Sequence, residues 1–417
     1  MTDSVDVISL DIDVGGSFRF WTSLTISDTF LDPCQTVSFT VEADETRFGV
    51  LDTCRSGSFF TVFVNDNPQC TGIIDSRAIT SSRSGTSVTV TGRDFMSRVV
   101  DGNPDPRFQV SAEMPFDEFV AKVFAHFNFP DVTIFEEYEA GRNLAVGKAI
   151  KTKGTAGKRR RKIKDPVKDL RPKEGEGGFQ WFVRTAHRFG YHAWMMPDGS
   201  GVVVGTPDYE QEPCARLVRK KSEGLEGLGA GNNILTATAK EDHTGLPSDV
   251  FAFGKDTRPG PEKKNYTGYA KCKKTSVYKP FYVRDEESSE QAHCDAYARL
   301  ILSRAERNAY SYEVTVRGAS DPATGRVWNV DTVIEVDDEL CGISGKMWVE
   351  SRTITKSRAG TTTAMKLIPV DSLIFDFYVS DAVIPAPKDY PAAIAAMPTP
   401  ETVEIPDLLI HWYQGQS

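Results

Sequence analysis

The chain has 417 residues, of which 40% are hydrophobic and 26% charged, a composition typical of folded proteins that excludes wholesale disorder. Its formal net charge of −9 argues against a dedicated nucleic-acid binder, because such proteins gain affinity by neutralising phosphates. Seven scattered cysteines without a C-x-x-C pair indicate neither a disulfide framework nor a zinc ribbon. At roughly 100–200 residues per domain, we expect two to four domains.

Neither a signal peptide nor a membrane helix is expected. The first residues lack a basic segment followed by an apolar core. The apolar stretch 367–384 contains Asp371, Asp376 and Asp381, and carboxylates are costly inside a bilayer. We therefore expect a soluble protein with reduced cytosolic thiols.

Residues 1–105 are predicted to form a β domain. Apolar and polar residues alternate over 5–12 and 87–91, which places alternate side chains on one face of a strand. The β-rich run 61–64 stops at the turn formers Asn65, Asp66, Asn67 and Pro68. Short strands about ten residues apart favour an antiparallel sandwich or barrel.

Residues 106–210 are predicted to form a small α+β domain. Apolar residues at helical spacing follow Pro115, and a second amphipathic helix is expected over 179–189. A hairpin is expected at the turn formed by Pro197, Asp198 and Gly199. Between the helices lies a basic insertion, residues 148–173. It is either a contact for phosphate or an acidic partner, or a solvated loop, which we favour because one basic run is weak support in an acidic chain.

Residues 211–370 are predicted to form a second β domain that includes a helix near 286–308. Strands are expected over 312–316, 333–336 and 347–350. Residues 371–417 are predicted to be an extended C-terminal arm, because six prolines lie between Pro385 and Pro406. The arm ends in an apolar stretch that includes Trp412 and Tyr413.

An internal repeat links the two β domains. Residues 76–86 (SRAITSSRSGT) and 351–361 (SRTITKSRAGT) are identical at eight of eleven positions. Each segment follows a turn, then a cysteine and a glycine (Cys70 and Gly72, Cys341 and Gly342). Each is predicted to form a tight hairpin whose glycine, Gly85 or Gly360, adopts a positive φ. The similarity is either chance between two polar hairpins or a duplicated β domain, which would let three chains present six similar domains.

The chain resembles phage tail baseplate hub proteins, a family that includes Mu-like hubs, late control protein D and the N-terminal region of VgrG. The segments that carry the resemblance are GEGGFQWFVRTA (175–186), DGSGVVV (198–204), VFV (62–64), TGIID (71–75), VTVTGRD (88–94), GRVWNV (325–330) and WVES (348–351).

The resemblance implies a mainly β fold in which the α+β domain joins two tube-like antiparallel β-barrel domains. It also implies a homotrimer with a pseudo-sixfold ring, which adapts a sixfold tail tube to a threefold spike. The implied partners are the tail spike and tail tube proteins, with the tape measure and baseplate wedge proteins as further candidates. The implied location is the virion baseplate, assembled in the bacterial cytoplasm. The chain departs from VgrG because no spike β-helix follows residue 370, so a separate spike protein is expected, with the arm gripping it.

No catalytic, cofactor or metal site is expected. The six histidines do not form an H-E-x-x-H pattern, and no G-x-S-x-G or phosphate-binding loop is present. The interface candidates are Arg77, Arg83, Gly85, Arg352, Arg358, Gly360, Trp412 and Tyr413. Two alternatives remain, a tail-associated cell-wall hydrolase and a carbohydrate-binding tail module.

Overall fold

Most of the predicted strands and helices lie in the part of the chain that the structure, a computed structural model, describes. This part comprises residues 6–13, 16–18, 22–43, 54–83, 85–105, 107, 116–129, 132–134, 172–186, 191–205, 207–221, 231–255, 265–285 and 291–370. These residues belong to one structural unit, Met1–Val379. The predicted arm with Trp412 and Tyr413, and all of the basic insertion before residue 172, lie outside the described residues.

The strands and helices are numbered in chain order. The first half contains β1 (Ile8–Ile12), β2 (Gly16–Phe18), β3 (Ser23–Thr29), β4 (Thr36–Ala43), β5 (Phe59–Val64), β6 (Asn67–Ser82), β7 (Gly85–Asp94), α1 (Ser97–Asp101), α2 (Phe116–His126), β8 (Val132–Ile134), α3 (Gly178–Ala186), β9 (His192–Met195) and β10 (Val202–Gly205). The second half contains β11 (Ala215–Arg219), β12 (Ile234–Glu241), β13 (Asp249–Lys255), β14 (Asn265–Lys271), β15 (Pro280–Arg284), α4 (Gln291–Ala309), β16 (Tyr310–Arg317), β17 (Val333–Asp338), β18 (Ile343–Ser357) and β19 (Gly360–Pro369).

One 13-stranded sheet runs through both predicted β domains. Its order is β12-β16-β19-β18-β3-β4-β7-β6-β5-β1-β2, with β17 paired to the first part of β18 and β11 paired to β17. The mainly β fold with α+β insertions is confirmed. The prediction of two separate barrels is not, because the described strands of the two halves share one sheet through β3 and β18.

The α+β unit has its own apolar core. Its sheet has the order β8-β10-β9, and the β9–β10 hairpin turns at Gly199, whose φ is +72°. On α2, Phe119 and Phe124 are fully buried, as the helical spacing predicts. Phe119 meets Trp181 of α3 edge to face, with the ring centroids 5.6 Å apart. Helix α2 and the hairpin are where the sequence places them.

A second three-stranded sheet, β14-β13-β15, is inserted into the second β half and packs on α4. Gly268 of β14 allows this packing, because a Cβ atom there would lie 2.0 Å from the backbone of Cys294 in α4. The helix predicted near 286–308 is α4, shifted a few residues along the chain. None of the helices among the described residues is long and apolar enough to cross a membrane.

Candidate functional site

The two repeat segments form equivalent hairpins, β6–β7 and β18–β19. Gly85 and Gly360 have φ values of +137° and +127°, as the sequence predicts. The ladder of each hairpin is interrupted by a register shift at the same place, between Ile74 and Ser76 and between Val349 and Ser351. An offset of 275 residues therefore relates the two hairpins along their length, including the β-bulge.

The equivalence between the two hairpins extends to two neighbouring strands of each, which makes four matching strands in each half of the chain. The pair Val37–Gly92 of β4 and β7 corresponds, at the same offset, to the pair Tyr312–Leu367 of β16 and β19. The outer strands follow at an offset of 213, so that Thr25–Ser38 corresponds to Thr238–Glu313. We call β3, β4, β7 and β6 the first repeat, and β12, β16, β19 and β18 the second repeat.

Two further matches suggested by the sequence do not hold. Cys70 lies inside β6 and is buried, whereas Cys341 lies in the turn between β17 and β18. The β5–β6 turn consists of Asn65 and Asp66, both at positive φ, and the corresponding turn after β17 is longer. The duplicated part is therefore the hairpin and its neighbouring strands, not the preceding turn.

The repeats are joined edge to edge by β3 and β18. The two strands pair antiparallel from Ser351–Thr29 to Ser357–Ser23. Ile354 and Ile26 face each other in this register, and both are fully buried. The hydroxyls of Thr353 and Ser27 lie 3.3 Å apart on the other face. We call this β3–β18 contact the repeat joint.

Arg352, one of the predicted interface residues, lies in the interior at the repeat joint. Its guanidinium is 3.8 Å from the carboxylate of Asp28, and both side chains are 2% exposed. It donates hydrogen bonds to Gln69 Oε1 at 3.0 Å and to the Trp328 carbonyl. Gln35 donates to Asp28 at 2.7 Å. A charge of the second repeat is therefore held by polar groups of the first half, and nothing local in the sequence indicates Asp28 as its partner.

Of the other predicted interface residues that the structure describes, Arg77 lies along β6 and the rest lie at the exposed end of each hairpin. Arg77 and Arg83 are exposed on and just after β6, and Gly85 and Gly360 are exposed at the turns. Arg358 donates two hydrogen bonds to Glu42, at 2.8 and 3.0 Å, between side chains that are 74% and 59% exposed. Three of the predicted interface residues therefore lie on each hairpin, and of the four arginines only Arg352 is buried.

Hydroxyl side chains predominate on the face of the repeats opposite the apolar core, which also carries charged residues such as Arg317 and Glu313. One register row crosses six strands and both repeats, through Thr362, Thr355, Thr25, Ser38, Thr91 and Ser76. The hydroxyls of Ser76 and Thr91 lie 2.7 Å apart, and those of Thr40 and Thr89 lie 3.2 Å apart. We call this the hydroxyl face. Its signal is present in the sequence as Ser and Thr alternating with apolar residues, for example over 36–41 and 87–91.

A buried carboxylate organises the far side of the second repeat. Asp338 accepts hydrogen bonds from Arg219 at 2.6 Å, from the Tyr312 hydroxyl at 2.6 Å and from the backbone amide of Leu340 at 3.0 Å. Burial alone would raise its pKa, but the bonds from Arg219 and Tyr312 outweigh burial and lower the pKa to about 2. Asp338 is therefore ionised at neutral pH and ties β11, β16 and β17 together. Among the described residues, no group of His, Cys, Asp and Glu is arranged to hold a metal ion.

We compared the chain with known protein families and solved structures. Residues 7–94 match the family model described as Mu phage baseplate assembly protein GpP-like, N-terminal. A tail protein from Neisseria meningitidis MC58 superposes with a TM-score of 0.67 at 22% identity, covering 87% of this chain and 96% of that one. The chain therefore has the fold of phage tail proteins. The 43 kDa tail protein of prophage MuSo2 from Shewanella oneidensis superposes with a TM-score of 0.70 at 17% identity, covering 88% and 100%.

No curated protein matches the chain. The predicted resemblance is confirmed by the tail-protein fold over most of the chain and by the baseplate family match over the first β domain.

Proposed function

We propose that this protein is the structural hub of a phage or phage-like tail baseplate. Three copies form a pseudo-sixfold ring that adapts the sixfold tail tube to a threefold central spike. The repeat joint is the observation that carries this proposal. It sets two similar four-stranded repeats side by side in one sheet, so three chains supply six of them.

The dimensions of such a ring suit a channel. The two repeats contribute eight strands per chain, and three chains therefore contribute 24. Strands about 4.8 Å apart, tilted by about 40°, would close into a barrel roughly 48 Å across between opposite backbones. The apolar face is covered by other parts of the chain, as the burial of Leu24, Ile26 and Val90 shows. The hydroxyl face is then left to line the channel.

The chemistry of the hydroxyl face suits passage rather than binding. Tight binding of a nucleic acid requires Lys and Arg to neutralise phosphates. Most side chains of the hydroxyl face are uncharged Ser and Thr, and the register places Glu42 and Glu313 on the same face as Arg317 and Lys366. A channel lined in this way would let the genome pass without holding it. This role involves no chemical step, which agrees with the expectation from the sequence that the chain has no catalytic or cofactor site.

The proposed partners are the tail tube at one end of the ring and the spike at the other, with the tape measure and baseplate wedge proteins as further contacts. The proposed location is the virion baseplate, reached by assembly in the host cytoplasm. The proline-rich arm, residues 371–417, is proposed to grip the spike.

Mass measurement with electron microscopy tests the proposed ring. Light scattering on the purified full chain should give a species near three times 46.1 kDa, and class averages should show a ring with six similar lobes. A monomer at high concentration, also in the presence of the spike protein, would refute the hub. A peptidoglycan-release assay with the same sample should show no activity, and release would favour the hydrolase instead.

A further inference from the structure

Each repeat has one edge strand at the repeat joint and a corresponding strand at an outer edge of the pair. The joint uses β18 of the second repeat and β3 of the first. Their counterparts are β6 and β12, which occupy the same positions in the other repeat. Among the described residues, Ser76–Ser82 of β6 pairs only with β7, and β12 pairs only with β16. Both outer edges therefore present backbone N–H and C=O groups, and the equivalent groups of β18 and β3 are the ones that pair in the repeat joint.

We propose that Ser76–Ser82 of one copy pairs antiparallel with β12 of a second copy, repeating the register of the repeat joint. This proposal rests on the proposed function, since three such contacts close the ring. The register follows from the offsets. Ile354–Ile26 at the joint becomes Ile79–Ala239 between copies, and Arg352–Asp28 becomes Arg77–Glu241.

The apolar side chains support this register. Ile354 is fully buried against Ile26 at the repeat joint, whereas its counterpart Ile79 is 51% exposed. Ala239, the residue that would face Ile79, is also exposed. An isoleucine in the middle of an exposed strand edge invites association, and the proposed contact covers it in the same way as the joint covers Ile354.

The charges support the same register. Arg352 and Asp28 have opposite charges in the repeat joint, and so do their counterparts Arg77 and Glu241. Both counterparts are exposed, so they are accessible to a second copy. A slip of one residue would turn every side chain of the strand to the other face, placing Arg77 on the wrong side of the sheet from Glu241. The second copy of this chain is therefore the occupant that fits this edge.

Cysteine cross-linking tests the register directly. The Phe30 amide donates to the Glu350 carbonyl, so alternation makes Thr25–Thr355 a non-hydrogen-bonded pair with closely spaced Cα atoms. Its counterpart between copies is Thr80–Thr238. The variant Thr80→Cys/Thr238→Cys should form covalent dimers and trimers under mild oxidation. The matched control Thr80→Cys/Ala239→Cys, which moves the second thiol to the opposite face, should not.

Five of the seven native cysteines give little background to this experiment. Burial raises the pKa of the thiols of Cys54, to about 11, and of Cys34, Cys70, Cys214 and Cys272, and the thiolate is the reactive form. A mixture of the two single variants, Thr80→Cys and Thr238→Cys, should give dimers but no larger product, which shows that the bond joins two chains.

A charge swap provides an independent arm. Arg77→Glu should raise the concentration at which the trimer dissociates at least tenfold, and Arg77→Glu/Glu241→Arg should recover most of that loss. Arg83→Glu, the same charge change on the same hairpin beyond the proposed pair, should leave the trimer unchanged. The proposed register is overturned, with the hub intact, if trimers form but the control pair cross-links or the swap fails to restore assembly. The absence of any trimer would instead refute the proposed hub itself.

Discussion

Single residues at the repeat joint show how two similar repeats are held in one sheet. Arg352 and Asp28 are buried together, and burial removes the water that would otherwise solvate both charges. Removing one member of such a pair leaves the other charge uncompensated, at a cost of about 3–5 kcal/mol. Arg358 and Glu42 also span the two repeats, but both side chains are mostly exposed.

The two arginines should therefore differ in their contribution to stability. Arg352→Met is expected to lower the free energy of unfolding by about 3–5 kcal/mol. Arg358→Met is expected to lower it by less than about 1 kcal/mol, because an exposed ion pair contributes little. Chemical denaturation of both variants measures the difference. Equal losses would show that burial at the joint does not determine the strength of this contact.

Asp338 should give the fold a defined acid sensitivity. Its folded pKa of about 2 lies below the unfolded value of about 3.9, so its ionised form stabilises the folded state above the unfolded value. That contribution, about 3 kcal/mol, is lost as the pH falls from about 4 through 2.

The pH dependence of unfolding checks this assignment. In Asp338→Asn the free energy of unfolding should be lower at neutral pH and should fall less between pH 4 and 2 than in the parent protein. Asp11→Asn, at an exposed carboxylate on β1, is the matched control. An unchanged acid slope in Asp338→Asn would contradict the role given to this residue.

At the scale of strands and hairpins, duplication preserves the backbone geometry but not the burial of equivalent residues. The β-bulge and the positive φ at the turn occur in both hairpins at positions 275 residues apart. Arg77 and Arg352 are equivalent, yet Arg77 is exposed and Arg352 is buried. This difference allows one repeat to form an internal joint while the other keeps its edge accessible to a partner.

The two hairpin tips are proposed to contact the tail tube. Arg83→Glu/Arg358→Glu should fold and form trimers, because both side chains are exposed, but it should fail to assemble on the tail tube. Co-sedimentation with purified tubes measures this. Lys122→Glu/Lys346→Glu, an equal charge change elsewhere on the surface, should sediment like the parent. Normal tails made with the hairpin variant would reject the assignment.

For the whole molecule, the arrangement separates three tasks. The apolar core and the repeat joint stabilise each chain, whereas in the proposed hub the outer strand edges join the copies and the hydroxyl face lines the channel. The arm, outside the described residues, is proposed to serve the spike. This division means that spike binding should be removable without affecting the ring.

Deletion of residues 380–417 tests that separation. The truncated chain should form the same oligomer as the parent in solution, because the joint and both outer edges are intact. It should lose binding to the spike protein in a pull-down. A shorter deletion, of residues 408–417, removes only the apolar end with Trp412 and Tyr413. It tests whether that end makes the contact with the spike protein. Unchanged spike binding after the longer deletion would exclude the arm.

Local sequence was enough to predict the mainly β class, the helices near 116 and 179, and the two hairpins at Gly85 and Gly360. Each of these depends on local periodicity or on a turn residue, which a short window of sequence contains. The hydroxyl face was not predicted: its Ser and Thr residues alternate with apolar ones in the sequence, but its extent across six strands depends on register.

Only the tertiary structure decided that the two repeats share a sheet and that Arg352 is buried beside Asp28. The repeat joint brings together strands more than 320 residues apart in the chain. Nothing in the local sequence of β3 or β18 predicts that these two strands pair. Strand pairing is set by backbone groups that every residue has, so the choice of partner depends on which edges the folded chain leaves next to each other.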